Sequence, residues 1–327
     1  MSGKLRIGII GCGDFLRLRA ADLLSSRQVE VKLLYSPVNS ANAERYAEIF
    51  GVKAADSPEA IINDPEIDVV CVFVPPFVRK EYVLAAAKAG KQIVATKPLA
   101  ADLSDAREMT EAVEQAGVRC GVIYRRTNNP VIEAYKEIFS GGEFGKLALY
   151  KQDWLHHYPT WNRWATDPKK NGGPFMDAML HNLNAARYLM GRRVVGRVFF
   201  SDDHTHSLAC DDTQFLKVDF EQGASAHLFI TWAAELAVYD SAKNDREHID
   251  QCFMVTDQGW LFRNEIREGK AVITATRNGL EKDFPVIPFE ETFFDRYAKE
   301  IKNRDILPAD LPDIREAYED LRILLEN

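Results

Sequence analysis

Ile7-Gly8-Ile9-Ile10-Gly11-Cys12-Gly13-Asp14-Phe15-Leu16 is an apolar run that ends in Gly-x-Gly and passes straight into a helical pattern over 15–25. A strand, a glycine turn and a helix start in that order are the setting a dinucleotide-binding turn requires. Gly11 permits the tight turn, and Gly13 lets the backbone approach a pyrophosphate. The helix start, with Cys12, Asp14 and Phe15, offers free N–H groups and the positive end of the helix dipole to that anion. Leu16 stands where a third glycine or alanine often does, so helix and strand are expected to pack less closely. The bland alternative is a glycine corner in a βα unit that binds nothing.

Working outward, strand patterns over 5–10, 29–35, 69–74, 92–95 and 119–124 alternate with helical patterns over 41–50, 78–89 and 103–116. Strands alternating with helices of this length predict βαβ units and a parallel sheet buried on both faces. Right-handed crossovers then give a doubly wound layer. The pattern changes after about residue 145. A strand over 147–154 and a long helical segment over 171–190 are followed by strand-like runs over 195–202, 213–220, 225–231, 251–256 and 271–275. The dipeptides Gln222-Gly223, Gln258-Gly259 and Glu268-Gly269 fall between some of these runs. Consecutive strands with short turns predict an antiparallel sheet with one open face. Helical patterns over 289–302 and 311–325 close the chain. The expected fold is α/β: an N-terminal doubly wound Rossmann domain over 1–125, and a C-terminal α+β domain with an open-faced, mainly antiparallel sheet over 126–327.

Composition agrees with this class. Of 327 residues, 46% are hydrophobic and 28% charged, which is ordinary globular usage and excludes a disordered or fibrous chain. A net charge of −8 argues against nucleic acid and anionic membranes as partners. The longest apolar stretch, 69–78, falls far short of the ~20 residues that span a bilayer. The amino-terminal stretch has no apolar signal core. Five scattered cysteines without a Cys-x-x-Cys pair read as free thiols, so a cytoplasmic location is expected.

Three further segments carry chemistry. The second strand ends in Leu34-Tyr35-Ser36-Pro37, where an acid would read the ribose 2′-hydroxyl of NAD. Ser36 repels nothing, so NADP is slightly favoured over NAD; loss of the acid without a change of cofactor is the alternative. Ala95-Thr96-Lys97-Pro98 ends a parallel strand, the edge at which open α/β sheets bind ligands. Lys97, pinned by the proline, is placed to accept a proton there, although a lysine after a strand is in isolation more often a surface residue. Gly172-Gly173-Pro174 opens a helix on which Asp177, His181 and Asn184 share a face. A carboxylate beside an imidazole orients it and raises its basicity, while an ordinary polar face is the bland reading.

Taken together, these segments resemble the Gfo/Idh/MocA oxidoreductases, the glucose–fructose oxidoreductase and inositol dehydrogenase-like family. The resemblance runs over nearly the whole chain. Besides the glycine turn it includes Ile67-Asp68-Val69-Val70 leading into Val74-Pro75-Pro76, and Ala89-Gly90-Lys91 through Lys97-Pro98. It continues in Tyr124-Arg125-Arg126-Thr127-Asn128-Asn129-Pro130, Gly142-Glu143-Phe144-Gly145-Lys146, Asn162-Arg163-Trp164 and the stretch from Gly172 to His181. It implies bound NAD(P), hydride transfer at a hydroxyl- or ketone-bearing carbon of a sugar, sugar derivative or cyclitol, and a homodimer or homotetramer formed through the open sheet. By matched position, Lys97 and His181 carry the proton chemistry with Asp177 beside them. Gly11, Gly13, Pro75 and Thr96 line the cofactor, and Arg125 and Arg163 reach the cofactor or substrate. Four positions depart from the family pattern: Thr96 for Glu, Pro174 for a third glycine, Asn184 for Asp, and Arg79 or Lys80 for a histidine. Two other readings stay open: redox-neutral glycoside cleavage with tightly held NAD, and a catalytically silent dinucleotide sensor.

The aromatic run from Trp154 to Trp164 suits a polyol, since sugars present CH faces to tryptophan and hydroxyls to Asn, Arg and His. An aromatic loop packing between domains is the alternative. Tyr124, His157, Trp164 and Asn184 are the substrate-contacting candidates. Asp202-Asp203-His204-Thr205-His206 puts two imidazoles near each other, but no third ligand at suitable spacing is evident, so a solvated turn and no metal are expected.

Overall fold

Short β-branched runs pair in parallel to form the first sheet: β1 (Leu5–Ile10), β2 (Val29–Tyr35), β3 (Lys53–Ala54), β4 (Val69–Val72), β5 (Gln92–Thr96) and β6 (Cys120–Ile123). Their order is β3-β2-β1-β4-β5-β6, which is the doubly wound arrangement. Every residue of β4 and β6 is buried, because helices cover both faces of the sheet. The crossovers are α1 (Asp14–Ser25), α2 (Ser40–Phe50), α3 (Pro58–Ile62), α4 (Lys80–Lys88) and α5 (Leu103–Ala116). A side chain at Gly8 would collide with Ile61 of α3, so this glycine is where a helix comes close to β1. Leu16 is wholly buried in the core of this unit, so the bulky residue at the third glycine position is absorbed by packing.

This is a computed structural model, and it describes residues 3–160, 164–236, 248–303 and 311–326. The chain divides into two units, Met1–Asn128 with Phe289–Asn327, and Asn129–Pro288. The tail therefore joins the first unit, whereas the sequence boundary at 125 assigns it to the second. The reason is packing that periodicity does not show. Phe293, Phe294 and Tyr297 of α8 (Phe293–Lys302) enter the same core as Ile7, Ile9 and Leu34. The Tyr297 hydroxyl donates to the carbonyls of Ile93 and Arg119, the latter at 3.1 Å. Asp295 accepts from Ser26 Oγ at 2.6 Å and from the N–H groups of Arg27 and Gln28. At the entry to α9 (Ile314–Leu325), the Pro312 carbonyl accepts from the Val122 N–H at 2.8 Å.

The second unit holds α6 (Pro130–Ser140), α7 (Leu180–Met190) and an eight-stranded sheet. Its strands are β7 (Leu147–Leu155), β8 (Val194–Asp202), β9 (Thr213–Phe220), β10 (Ala224–Thr231), β11 (Ile249–Thr256), β12 (Leu261–Arg267), β13 (Lys270–Arg277) and β14 (Leu280–Pro285). The order is β14-β13-β12-β11-β7-β10-β9-β8, antiparallel except for the β7–β10 pair. β12 and β14 escape the sequence reading because most of their residues are exposed, which erases the apolar alternation. The helix expected from 171 begins at Phe175. Gly172 and Gly173 have φ of +81° and +100°, outside the helical region, and Phe175–Met179 forms a single π turn before α7.

Candidate active site

In the first unit, Gly11 adopts φ +105°, and a Cβ there would lie 2.7 Å from the carbonyl carbon and oxygen of Phe73. Around Gly13 a Cβ would meet nothing within 4 Å. Gly13 is the N-cap of α1 and no side chain caps that helix start, so its first N–H groups have no side-chain cap partner. A cradle that a Cβ would fill, opening on an uncapped helix N-terminus, fits a dinucleotide pyrophosphate. Phe15 packs edge-on against Phe73 at 4.9 Å between ring centres. Asp14 is exposed and pairs with Arg17 at 3.5 Å. Cys12 is buried with its Sγ 3.5 Å from the Tyr35 carbonyl, and burial pushes its thiol up to about 12, so it is structural rather than nucleophilic. Ser36 follows β2, half-buried, with no carboxylate in the next residues through Ser40.

The two glycines make contrasting predictions. Gly11→Ala is expected to destabilise the protein by roughly 1–3 kcal/mol through a forced φ and a backbone clash. Gly13→Ala is expected to stay within about 0.5 kcal/mol. Urea unfolding of both variants checks this; equal losses would contradict it.

Lys97 sits half-buried at the C-terminal end of β5, between the buried Thr96 and Pro98, and the Lys97–Pro98 peptide is cis. Behind it lies Arg79, whose side chain is 1% exposed. Its guanidinium donates to the carbonyls of Thr96 (2.6 Å), Pro98 and Leu99 (3.0 Å), to the Val74 carbonyl (2.7 Å) and to Thr96 Oγ1 (2.6 Å). It thus ties the backbone on both sides of Lys97 to the Val74-Pro75 turn. Burial lowers its pKa to about 9, so it stays cationic at neutral pH. Sequence reasoning noted Arg79 as one of two replacements for a histidine and missed this role; Lys80 instead pairs with Asp105 and Glu108 at the surface. After β6, Tyr124 is 1% exposed, Arg125 is exposed, and the buried Arg126 holds Glu316 of α9 at 3.0 Å.

In the second unit, residues 175–186 are buried with two exceptions, Asp177 and His181, both half-exposed. The two residues expected to carry acid–base chemistry are thus the accessible positions on an otherwise enclosed helix. Gln214 Oε1 accepts the Phe175 N–H at 2.8 Å and anchors the helix start, a contribution from β9 that no local motif announces. Asn184 does not share the accessible face: it is 0% exposed. His181 and Asn184 both lie in the regular helix α7, where three residues turn the chain by about 300°, so the narrow accessible strip through His181 leaves Asn184 on the buried side.

Of the aromatic run, Arg163 lies outside the described residues, and Trp164 is half-buried. His156 is buried, which pushes its pKa down to about 4 and keeps it neutral, whereas His157 is partly accessible. The turn holding His204 and His206 is organised by the buried Asp212, whose carboxylate accepts the N–H groups of His204, Thr205 and His206.

Two family models match this chain. Residues 5–124 match the oxidoreductase family with the NAD-binding Rossmann fold, and residues 132–245 match the GFO/IDH/MocA C-terminal domain. The chain belongs to the GFO/IDH/MocA oxidoreductase family. Among its relatives, the scyllo-inositol 2-dehydrogenase (NAD(+)) of Bacillus subtilis is 25% identical over 313 residues, covering 93% of this chain and 86% of the relative. The myo-inositol 2-dehydrogenase of Thermotoga maritima is 28% identical over 308 residues, covering 91% and 86%. In fold, the aldose-aldose oxidoreductase of Caulobacter crescentus superposes with a TM-score of 0.82 at 19% identity, over 98% of this chain and 95% of that one. As a GFO/IDH/MocA oxidoreductase the protein carries an NAD-binding Rossmann fold, and the glycine turn above is its first element. Among the described residues, no helix is long and apolar enough to cross a membrane.

Proposed function

We propose that this GFO/IDH/MocA protein moves a hydride between NAD(P) and a hydroxyl- or ketone-bearing carbon of a sugar, sugar derivative or cyclitol. The accessible Asp177 and His181 on a buried helix carry the reading, and relatives named as inositol dehydrogenases support the substrate class. The nicotinamide, when bound, takes or gives the hydride. Gly11, Gly13, Pro75 and Thr96 would hold the cofactor. As the carbinol C–H leaves, the hydroxyl proton must leave with it, and the His181 imidazole accepts that proton. Asp177 orients the ring and favours its cationic form. Lys97 is a second proton-handling or oxygen-binding group, held in place by Arg79. With Ser36 in place of an acid, NADP is expected to bind at least as tightly as NAD.

The test is NAD(P)H formation at 340 nm across a panel of sugars and inositols, with both cofactors titrated by tryptophan fluorescence. Turnover on at least one polyol is expected. NAD preferred by more than about tenfold, ~1.4 kcal/mol, overturns the cofactor assignment, and cofactor binding without turnover on any polyol overturns the dehydrogenase reading. Val195, Val198 and Phe200 of β8 are 55%, 43% and 60% exposed, which supports assembly into a homodimer or homotetramer through the open sheet face. Five free cysteines support a cytoplasmic location.

A further inference from the structure

We propose that His157, His206 and Glu235 bind a divalent transition-metal cation. One ring nitrogen of each histidine and a carboxylate oxygen of Glu235 lie within 4.8 Å of one another. His157 Nε2 is 3.5 Å from Glu235 Oε2, and His206 Nε2 is 4.0 Å from Glu235 Oε1. Zinc ligands bonded at ~2.0–2.2 Å stand about 3.4 Å apart in a tetrahedral shell, so closure needs side-chain shifts of only about 1 Å. The residue best able to move is Glu235, whose side chain is 75% exposed against 23% and 13% for the two histidines.

The backbone that presents these groups is already organised. His157 Nδ1 lies 3.0 Å from the Tyr158 carbonyl, so that nitrogen carries the proton and Nε2 keeps its lone pair toward Glu235. A ring N–H bonded to a backbone carbonyl is the usual support of a metal-binding histidine. His157 also donates its backbone N–H to Leu236 at 2.7 Å and bridges Ala233, which fixes the Glu235 segment beside it. His206 is held by its N–H to the buried Asp212 carboxylate at 3.1 Å. Its Nε2 lies 3.0 Å from the Trp232 carbonyl, and a cation taken at that nitrogen replaces this bond.

Two imidazoles and one carboxylate suit zinc, iron(II), cobalt or nickel and not magnesium or calcium, which prefer all-oxygen shells. Three protein ligands leave one position for water, on the side where Glu235 meets solvent. The ion would clip together the segments that follow β7, β8 and β10. This reverses the expectation from sequence, where no third ligand stood near His204 and His206. Glu235 and His157 come from other strands, and His204 takes no part in the cluster.

The test uses the tag-free full chain, dialysed against EDTA and then against chelator-free buffer, and titrated calorimetrically with zinc chloride. Binding of a single zinc ion per chain with a Kd of about 1 µM or tighter is expected. Magnesium chloride at the same concentrations is expected to give no heat. Glu235→Gln and His206→Gln should each weaken zinc binding by at least about tenfold. Thermal unfolding of metal-free samples checks that the variants fold, and Glu235→Gln, altering an exposed side chain, keeps the test available if His206→Gln does not. No zinc binding by the wild-type chain, binding unchanged in Glu235→Gln, or equal binding of magnesium would each overturn the proposal.

Discussion

His181→Asn is expected to cut the oxidation rate by about 10²–10⁴ while substrate and cofactor still bind, the range for losing a positioned acid or base. The expectation rests on access. Over 175–186 only Asp177 and His181 are not buried, and an imidazole is the side chain chemically suited to proton exchange near neutrality. Asp177→Asn should lower the rate less, since it acts through the ring. The double variant should lose less than the product of the two, because residues acting as a unit are not additive. Lys97→Ala should fall in the same range as His181→Asn, with cofactor affinity within a few-fold. Steady-state kinetics with the best substrate from the panel settles each point. Near wild-type rates with an unshifted pH profile would reduce all three to solvated polar positions.

Arg79→Met is expected to cost about 4 kcal/mol of folding stability. Five oxygens on two chain segments, Val74 and Thr96–Leu99, accept from one guanidinium that is nearly sealed from water. Removing it leaves them buried and unpaired, at ~1–3 kcal/mol each before relaxation and water entry reduce the sum. Arg79→Lys should recover only part of the loss, because an ammonium has three donors and no planar fork. Equilibrium urea unfolding measures both, and a loss below about 1 kcal/mol for Arg79→Met would show that the network is dispensable. In an Arg79→Lys variant that still folds, turnover should fall more than cofactor affinity, because Lys97 loses its backing on either side.

The legible parts of this protein are those set by a local period. The β1 turn announces itself because strand, glycines and helix follow one another within ten residues. Asp177 and His181, read as sharing a helix face because four residues is close to one helical turn, are the two accessible positions over 175–186. What was missed depends on other elements. Asn184 shares a broad helix face with His181 by spacing, but the accessible strip is only one position wide and packing from the sheet buries Asn184. β12 and β14 are mostly exposed, so a single buried Phe262 in β12 is too little to write an alternation into their sequence. The role of Arg79 requires knowing that the end of β5 lies over the turn after β4. The cluster of His157, His206 and Glu235 draws on three loops whose meeting is set by sheet order. Chain separation hides such pairings, since nothing in the local residue pattern encodes the partner.

The chain leaves its first unit at Asn128 and returns to it at Phe289. During synthesis, the core that Phe293, Phe294 and Tyr297 complete must wait for the whole intervening segment to emerge. At ~5–20 residues per second, the delay is on the order of 10 s. Throughout that interval the nascent Rossmann sheet carries an uncovered apolar strip where α8 will dock. The ribosome-bound intermediate is therefore a natural client for a chaperone that shields hydrophobic surface, and synonymous codons that slow translation between 129 and 288 should lower the soluble yield without changing the finished protein.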